Sequence, residues 1–319
     1  MHVSQFLKTE QEMVFHPFIS RKGGKPRKVA EPSAALYELQ TDFRKYLERF
    51  GVALPSAKGS VVGESPLTNV RVHRGMRYFY ILDFKGAFPS VQAPALAKIL
   101  FSHYCELGSL EEIQDFLERY FFLPERGLAQ GGPASPLLFN MYCEELVDQR
   151  IRALLEERER QGKSRLRFTR YIDDLTLSSA DRIPKELRRK IREIVTEAGF
   201  QINHTKTRPL DNTRDPVEIT GIRLLSSGEL TVTDGFKNRL ECALNAYLYN
   251  PIKPDLNKLR GLIGFYQQVR LRSRTNRLMR GLDSKIEEFH FLEGASIPRK
   301  SREERLRRLI PKPFLDEIR

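Results

Sequence analysis

Apolar and polar positions recur with two different periods along this chain, and the changes of period mark out its elements. Leu36, Leu39, Phe43 and Leu47 fall at helical spacing and predict a helix over 36–50. "YFYILDF" (78–84) is a continuous run of aromatic and branched residues. It reads as a buried strand, stopped by the Gly and Pro of "KGAFPS". Helices are predicted over 94–104 and 110–122. In "PASPLLFNMYCEEL", Ser135 offers an N-cap and Pro136 a first helical position, so a long helix opens there and runs towards Arg160. Leu166 and Phe168 alternate with polar residues before Tyr171, and Leu175 and Leu177 alternate after Asp174, which predicts a hairpin with the two aspartates at its turn. A helix from Pro184 carries Leu187, Ile191, Ile194, Val195 and Ala198 on one face, and Gly199 suits its end. More strands follow in "EITGIRLLSSGELTV"; after Thr233 the pattern is helical, including 236–249 and 256–269.

From Tyr78 onward the order is therefore strand, helices, strand, strand, helix, strand. That is the split βαβ pattern, an antiparallel sheet with helices on one face, so the expected fold class is α+β with a helical C-terminal domain. With 319 residues there is room for two or three packed units.

Charge sharpens the picture. The chain carries 54 basic and 41 acidic residues, a formal +13, and from Phe236 onward 19 Lys/Arg stand against 10 Asp/Glu. Such an excess suits a polyanionic partner, nucleic acid or an acidic membrane surface. Cys105, Cys143 and Cys242 are odd in number and far apart, which fits neither a disulfide framework nor zinc-ligand spacing and points to a reducing interior. The N-terminal stretch lacks a signal-like apolar core and no run is long enough for a bilayer, so the expectation is a soluble, cytoplasmic protein without a membrane partner.

The chemistry gathers in "RFTRYIDDLTLSS" (167–179), where two aspartates sit side by side between β-formers. One reading is a solvated surface hairpin; the other is a seat for cations. Asp83, at the end of the predicted central strand, either marks where that strand meets solvent or is a charge that needs a partner. The split βαβ arrangement brings Asp83, Asp173 and Asp174 together. Three close carboxylates raise one another's pKa, and hard divalent ions such as Mg²⁺ remove that penalty. Two such ions about 4 Å apart serve phosphoryl transfer. Asp83 and Asp173 are then the principal ligands and Asp174 a support.

Five blocks in order now carry a resemblance: "ISRKGGKPRKVAEPSAALYELQ", "ILDFKGAFPSV", "GLAQGGPASPLLFN" with the pattern QGxxxSP, "RYIDDLTLS" with YxDD, and "GFQINHTKT". The chain resembles a reverse transcriptase, and most closely a bacterial retron reverse transcriptase, over nearly its whole length. The resemblance implies a right-hand polymerase with fingers (1–77), a split βαβ, ferredoxin-like palm (78–234, with fingers helices interleaved at about 92–126) and an all-helical basic thumb (235–319). It implies two Mg²⁺ ions on Asp83, Asp173 and Asp174, dNTP substrates, and Lys206 as the general acid for the leaving pyrophosphate. Lys22 and Arg27 resemble fingers residues that hold the triphosphate, although Lys25 and Lys28 share the same loop and charge. Ala87 would offer its backbone N–H to the triphosphate. Phe88 resembles an aromatic gate that excludes a 2′-hydroxyl, beside the plain reading that it is core. Gln130 and Gly131 line the nucleotide pocket by resemblance, and Tyr171 and Ile172 touch the primer end.

"NVRVH" and "ITG" resemble the retron elements NAxxH and VTG, with Val70 for Ala and Ile219 for Val. They name Asn69, His73, Ile219, Thr220 and Gly221 as candidate RNA contacts, joined by Arg270, Arg272 and Arg274 of the basic C-terminal helices. The stretch after the palm is expected to be too short for maturase, endonuclease or RNase H domains. What the resemblance implies is copying of part of a cognate structured non-coding RNA into branched single-stranded DNA (msDNA), in anti-phage defence beside a separate effector protein. The competing readings are another defence-associated reverse transcriptase, a catalytically silent RNA-binding scaffold, and an RNA-copying RNA polymerase.

Overall fold

A computed structural model describes residues 1–8, 12–20, 27–49, 51–249, 255–270 and 280–294. An antiparallel hairpin of β1 (Phe15–Ser20) and β2 (Arg27–Pro32) leads into α1 (Ala34–Arg49), whose Leu36, Leu39, Phe43 and Leu47 are all buried as their spacing predicts. The short α2 (Pro66–Val72) follows, and periodicity could not show it because it spans only seven residues. Its signal is local instead. Ser65 and Thr68 form a reciprocal capping box and Pro66 opens the first turn.

Next come β3 (Tyr78–Lys85), α3 (Ala87–Ser90), α4 (Ala93–His103), α5 (Leu110–Tyr120) and the small hairpin β4 (Phe122–Leu123) and β5 (Gly127–Leu128). The expected long helix is α6 (Ser135–Cys143) and α7 (Gln149–Arg160), joined by a π-turn over Glu144–Asp148. Its start differs from expectation by one residue. Ala134 already has helical dihedrals and is the N-cap, so Ser135 and Pro136 lie inside the first turn. The chain continues through β6 (Leu166–Tyr171), β7 (Asp174–Ser179), α8 (Lys185–Glu197), β8 (Gln201–Ile202), β9 (Arg208–Asp211), β10 (Val217–Ile219), β11 (Ile222–Leu224), β12 (Leu230–Val232), α9 (Asp234–Tyr249), α10 (Leu256–Arg270) and α11 (Arg280–Gly294).

The central sheet runs β6-β7-β3-β8, with β9 also on β3, and every pairing is antiparallel. β3 is thus flanked on both edges, by β7 on one side and by β9 and β8 on the other. That explains why its residues form an unbroken apolar run rather than an alternating one. Tyr80, Leu82, Phe84, Leu175 and Leu177 belong to one core with Ile191, Val195 and Phe200 from α8 and the turn after it, and with Leu138 and Phe139 from α6. A second aromatic knot holds α1 to α5: Phe43 lies 5.2 Å from each of Phe6, Phe116 and Phe121, ring centre to ring centre.

The chain divides into two compact units, Met1–Thr220 and Gly221–Arg319. The division falls inside a turn where Thr220 (φ +48°) and Gly221 (φ +79°) are both left-handed, and the expected palm–thumb boundary at 234/235 lies within the second unit. In that unit α9, α10 and α11 bury Leu240, Leu244, Leu259, Ile263, Tyr266 and Phe289. Among the described residues no helix is long and apolar enough to cross a membrane. The three cysteines are free, Cys143 buried and the other two exposed.

Candidate active site

Antiparallel pairing, not chain proximity, assembles the acidic centre. The register sets Asp83 of β3 opposite Asp174 of β7, and Tyr171 of β6 opposite Asp174 on its other side. Asp173 lies in the two-residue turn between β6 and β7, and its carbonyl accepts the Phe84 N–H at 3.0 Å, which locks the turn to the end of β3. Ile172 beside it is left-handed, φ +55°, an uncommon state for a β-branched residue.

Asp83 is only 4% exposed, a costly place for a carboxylate. Two side chains from the segment after α8 satisfy it, and a backbone N–H there binds the main-chain carbonyl of the same residue. Asn203 Nδ2 donates to Asp83 Oδ2 at 2.8 Å and the Asn203 N–H to the Asp83 carbonyl at 2.8 Å. The Lys206 ammonium donates to Asp83 Oδ1 at 2.5 Å. That contact raises the Lys206 pKa, and the side chain stays 57% exposed. Asp174 feels the Lys206 charge too, but only as the smallest of the influences on it. Burial first, then the charges of Asp173 and Asp83 and a hydrogen bond to Asp83, push its carboxyl up to about 7.

The expected convergence of Asp83, Asp173 and Asp174 is seen in the register and in the charges that act on Asp174. Among the described residues no three acidic, histidine or cysteine side chains already form a metal-ligand cluster. Asp83 and Asp174 are joined, while Asp173 acts on Asp174 through its charge, and Lys206 supplies the cation on Asp83. The donor set still fits a hard divalent ion. It is all oxygen, and Asp174 carries an electrostatic penalty that a cation relieves.

Around the acidic centre, Phe88 is half-buried in α3, with its ring stacked on Phe139 at 5.0 Å and 23°. Gly86, left-handed at φ +63°, turns the chain from β3 into α3, where Ala87 is buried. Gln130 is half-buried and its carbonyl accepts the Ala30 N–H at 2.9 Å, tying this loop to β2. Gly131 makes that approach possible: at φ +130°, a Cβ there would lie 2.5 Å from the Ala30 carbonyl oxygen. Lys22, Lys25 and the side chain of Arg27 lie outside the described residues, and Lys28 is exposed on β2.

Two expected RNA contacts are corrected by burial. Asn69 and His73 are fully enclosed, with His73 Nδ1 2.7 Å from Ser178 Oγ and Nε2 2.7 Å from Thr169 Oγ1. Thr169 in turn donates to Asn69 Oδ1 at 2.6 Å. With that proton committed, the imidazole donates from Nε2 and accepts at Nδ1, so one neutral tautomer satisfies the chain. Burial, then the charge of Arg167, holds the His73 pKa down to about 3. These residues pin α2 to β6 and β7 and offer RNA nothing. Ile219 is likewise buried, and the Thr220 hydroxyl donates to the Pro66 carbonyl at 3.4 Å. Gly221 is exposed, and Arg270, ending α10, is ion-paired with Asp283; Arg272 and Arg274 lie outside the described residues.

The sequence family described as reverse transcriptase (RNA-dependent DNA polymerase) matches residues 19–224. The chain belongs to the reverse transcriptase family. It is similar to the Retron Mx162 reverse transcriptase of Myxococcus xanthus, 28% identical over 282 residues that cover 77% of this chain and 56% of the relative. It is also similar to the Retron Ec86 reverse transcriptase of Escherichia coli, 30% identical over 209 residues, 64% of this chain and 61% of the relative. The chain thus spans between about half and three-fifths of the length of these relatives. Among solved structures it resembles telomerase from Candida albicans in complex with a fragment of telomeric RNA, at a TM-score of 0.51 and 12% identity, over 87% of this chain and 57% of that one. The likeness places the α+β architecture in the reverse transcriptase polymerase fold. Asn203 was not foreseen as a partner of Asp83, although an Asn three residues before Lys206, in a turn after a short strand, is the kind of polar residue that caps such a junction.

Proposed function

We propose that this protein is an RNA-directed DNA polymerase of a retron, copying part of a cognate structured non-coding RNA into msDNA with a 2′–5′ branch. The observation that carries the reading is the Asp83–Asp174 pairing, in which burial and then the neighbouring carboxylates push Asp174 up to about 7. Asp83, Asp173 and Asp174 would hold two Mg²⁺ ions, which supply charge neutralisation to the attacking hydroxyl and the leaving pyrophosphate.

The chain's own groups do the rest. Phe88, braced by Phe139, would crowd a ribose 2′-hydroxyl, so that deoxynucleotides are preferred on this reading. Gln130 and Gly131 form a wall for the nucleotide, held at fixed distance from β2 by the Ala30 bond. Lys206 is a proton source whose acidity is governed by Asp83. Neutralising Asp83 removes the contact that raises the lysine pKa and makes it the better donor to the leaving group. The fingers loop with Lys22 and Arg27 would bind the triphosphate, since guanidinium and ammonium suit phosphate oxygens.

The partners on this reading are the cognate RNA, its DNA product and a separate effector protein, in anti-phage defence. Sequencing the nucleic acid that co-purifies with the protein tests it. A short structured RNA joined to single-stranded DNA through a 2′ linkage is expected. An untemplated homopolymer or a long repeat would instead make this another defence-associated reverse transcriptase.

A further inference from the structure

Arg170, the residue before Tyr171, is completely buried, and every N–H of its guanidinium is occupied. Nε donates to both oxygens of Asp148 at 3.0 Å and Nη2 to Asp148 Oδ2 at 2.8 Å. Nη1 donates to Asn140 Oδ1 at 2.8 Å and to the Ile172 carbonyl at 2.9 Å, and Nη2 reaches the Asn140 carbonyl at 3.4 Å. The π-turn over Glu144–Asp148 sets Asp148 inward for this contact. Asn140 extends the grip: its Nδ2 donates to the Gly59 carbonyl at 2.8 Å.

Gly59 lies against the strained part of the turn, where a Cβ would meet Ile172 Cγ1 at 2.8 Å and Ile172 N at 3.0 Å. The backbone closes the same clamp, with the Arg170 N–H donating to the Ser56 carbonyl at 2.8 Å and the Lys58 N–H to the Arg170 carbonyl at 2.7 Å. On its other side the guanidinium carbon sits 5.6 Å from the centre of the Phe139 ring, the ring on which Phe88 stacks.

We infer that Arg170 is a positioning residue that fixes two parts of the nucleotide site together: the turn 171–174, through the Ile172 carbonyl, and the seat of Phe88, through Phe139. The inference rests on the polymerase reading for its functional consequence, but not for the clamp itself. An ordinary buried ion pair would require only Asp148; the bonds to Ile172 and Asn140 and the stacking on Phe139 are directed at the site. A left-handed, β-branched Ile172 needs a fixed partner, since such a residue relaxes when released. Lysine cannot replace the fork, having one nitrogen where the arginine uses three.

The test compares the full-length protein with Arg170→Lys and Phe139→Leu, using poly(rA) primed with oligo(dT). Two quantities are read: the ratio of kcat/KM for dTTP over UTP, and amide hydrogen exchange across 168–174 against 110–120 in α5. In Arg170→Lys the sugar ratio falls at least tenfold and exchange across 168–174 quickens at least tenfold, while 110–120 is unchanged. In Phe139→Leu the ratio falls similarly but exchange across 168–174 stays within about twofold. A wild-type ratio in folded Arg170→Lys overturns the inference, and so does exchange that quickens equally in both segments. Should Arg170→Lys not fold, Asn140→Ala is read the same way, with a change of at least threefold in both quantities expected and unchanged values overturning the inference. A wild-type protein that does not extend the primer sinks the polymerase reading, and the exchange comparison still decides the clamp.

Discussion

A single carboxyl shows how much the neighbours of a residue decide. Asp83 and Asp174 have the same functional group and face each other across one register pair, yet Asp83 is met by Asn203 and Lys206 while Asp174 faces mainly negative charge. The consequence is division of labour: one carboxylate is held ready and the other is sensitive to whatever cation arrives. Asp173→Asn removes charge from the turn without changing its shape or its backbone bond to Phe84. DNA synthesis on a primed template should fall by a factor on the order of 10³, with RNA affinity in a filter-binding assay within twofold of wild type. Full extension by that variant would remove the cation reading. The aspartates were legible in the sequence because charge between β-formers is conspicuous. Asn203, Asn140 and Arg170 were not, because an amide or guanidinium becomes informative only when its partner, from 22 to 120 residues away along the chain, is known.

Among the elements, α2 is the one whose role changed most between sequence and structure. Read alone, "NVRVH" offers an imidazole and an amide for RNA. In the fold both are turned inward, joining α2 to β6 and β7 through Thr169 and Ser178. A buried neutral imidazole has a pH signature. Its folded pKa of about 3 lies below its usual 6.5, so the unfolded chain takes up the proton first as pH falls. The stability it contributes is complete above about 6.5 and is lost between there and 3, at about 1.4 kcal/mol per pH unit. Urea unfolding at pH 7 and pH 5 should show a drop in stability larger by about 2 kcal/mol in wild type than in His73→Gln, which does not titrate. Equal drops would mean that the imidazole is not held neutral. The longer helices were legible because their apolar stripes repeat over several turns, whereas α2 and the π-turn before α7 are too short to repeat anything.

Across the whole molecule, charge is distributed unevenly and the chain divides at Thr220/Gly221. The excess of basic residues from Phe236 onward proposes a phosphate-binding surface in the second unit. For a cognate RNA recovered with the protein, log K should fall linearly with log salt, and Arg272→Ala with Arg274→Ala should reduce the slope by between about 1 and 2. Extension of a short primed template should remain within about twofold. An unaltered slope would place RNA recognition elsewhere.

By itself the sequence determined the α+β class, the longer strands and helices from Tyr78, the family and the acidic residues, because periodicity, turn residues and short motifs are written locally; the short β8 and β9 that complete the sheet beside β3 carry no such pattern. Only the tertiary structure decided that Asp83 meets Asp174, that Lys206 occupies Asp83, that Asn69 and His73 face inward, and that Arg170 grips the turn from behind. Each of these depends on strand register and on burial, and a register is set by the sum of many distant contacts rather than by any one stretch of residues.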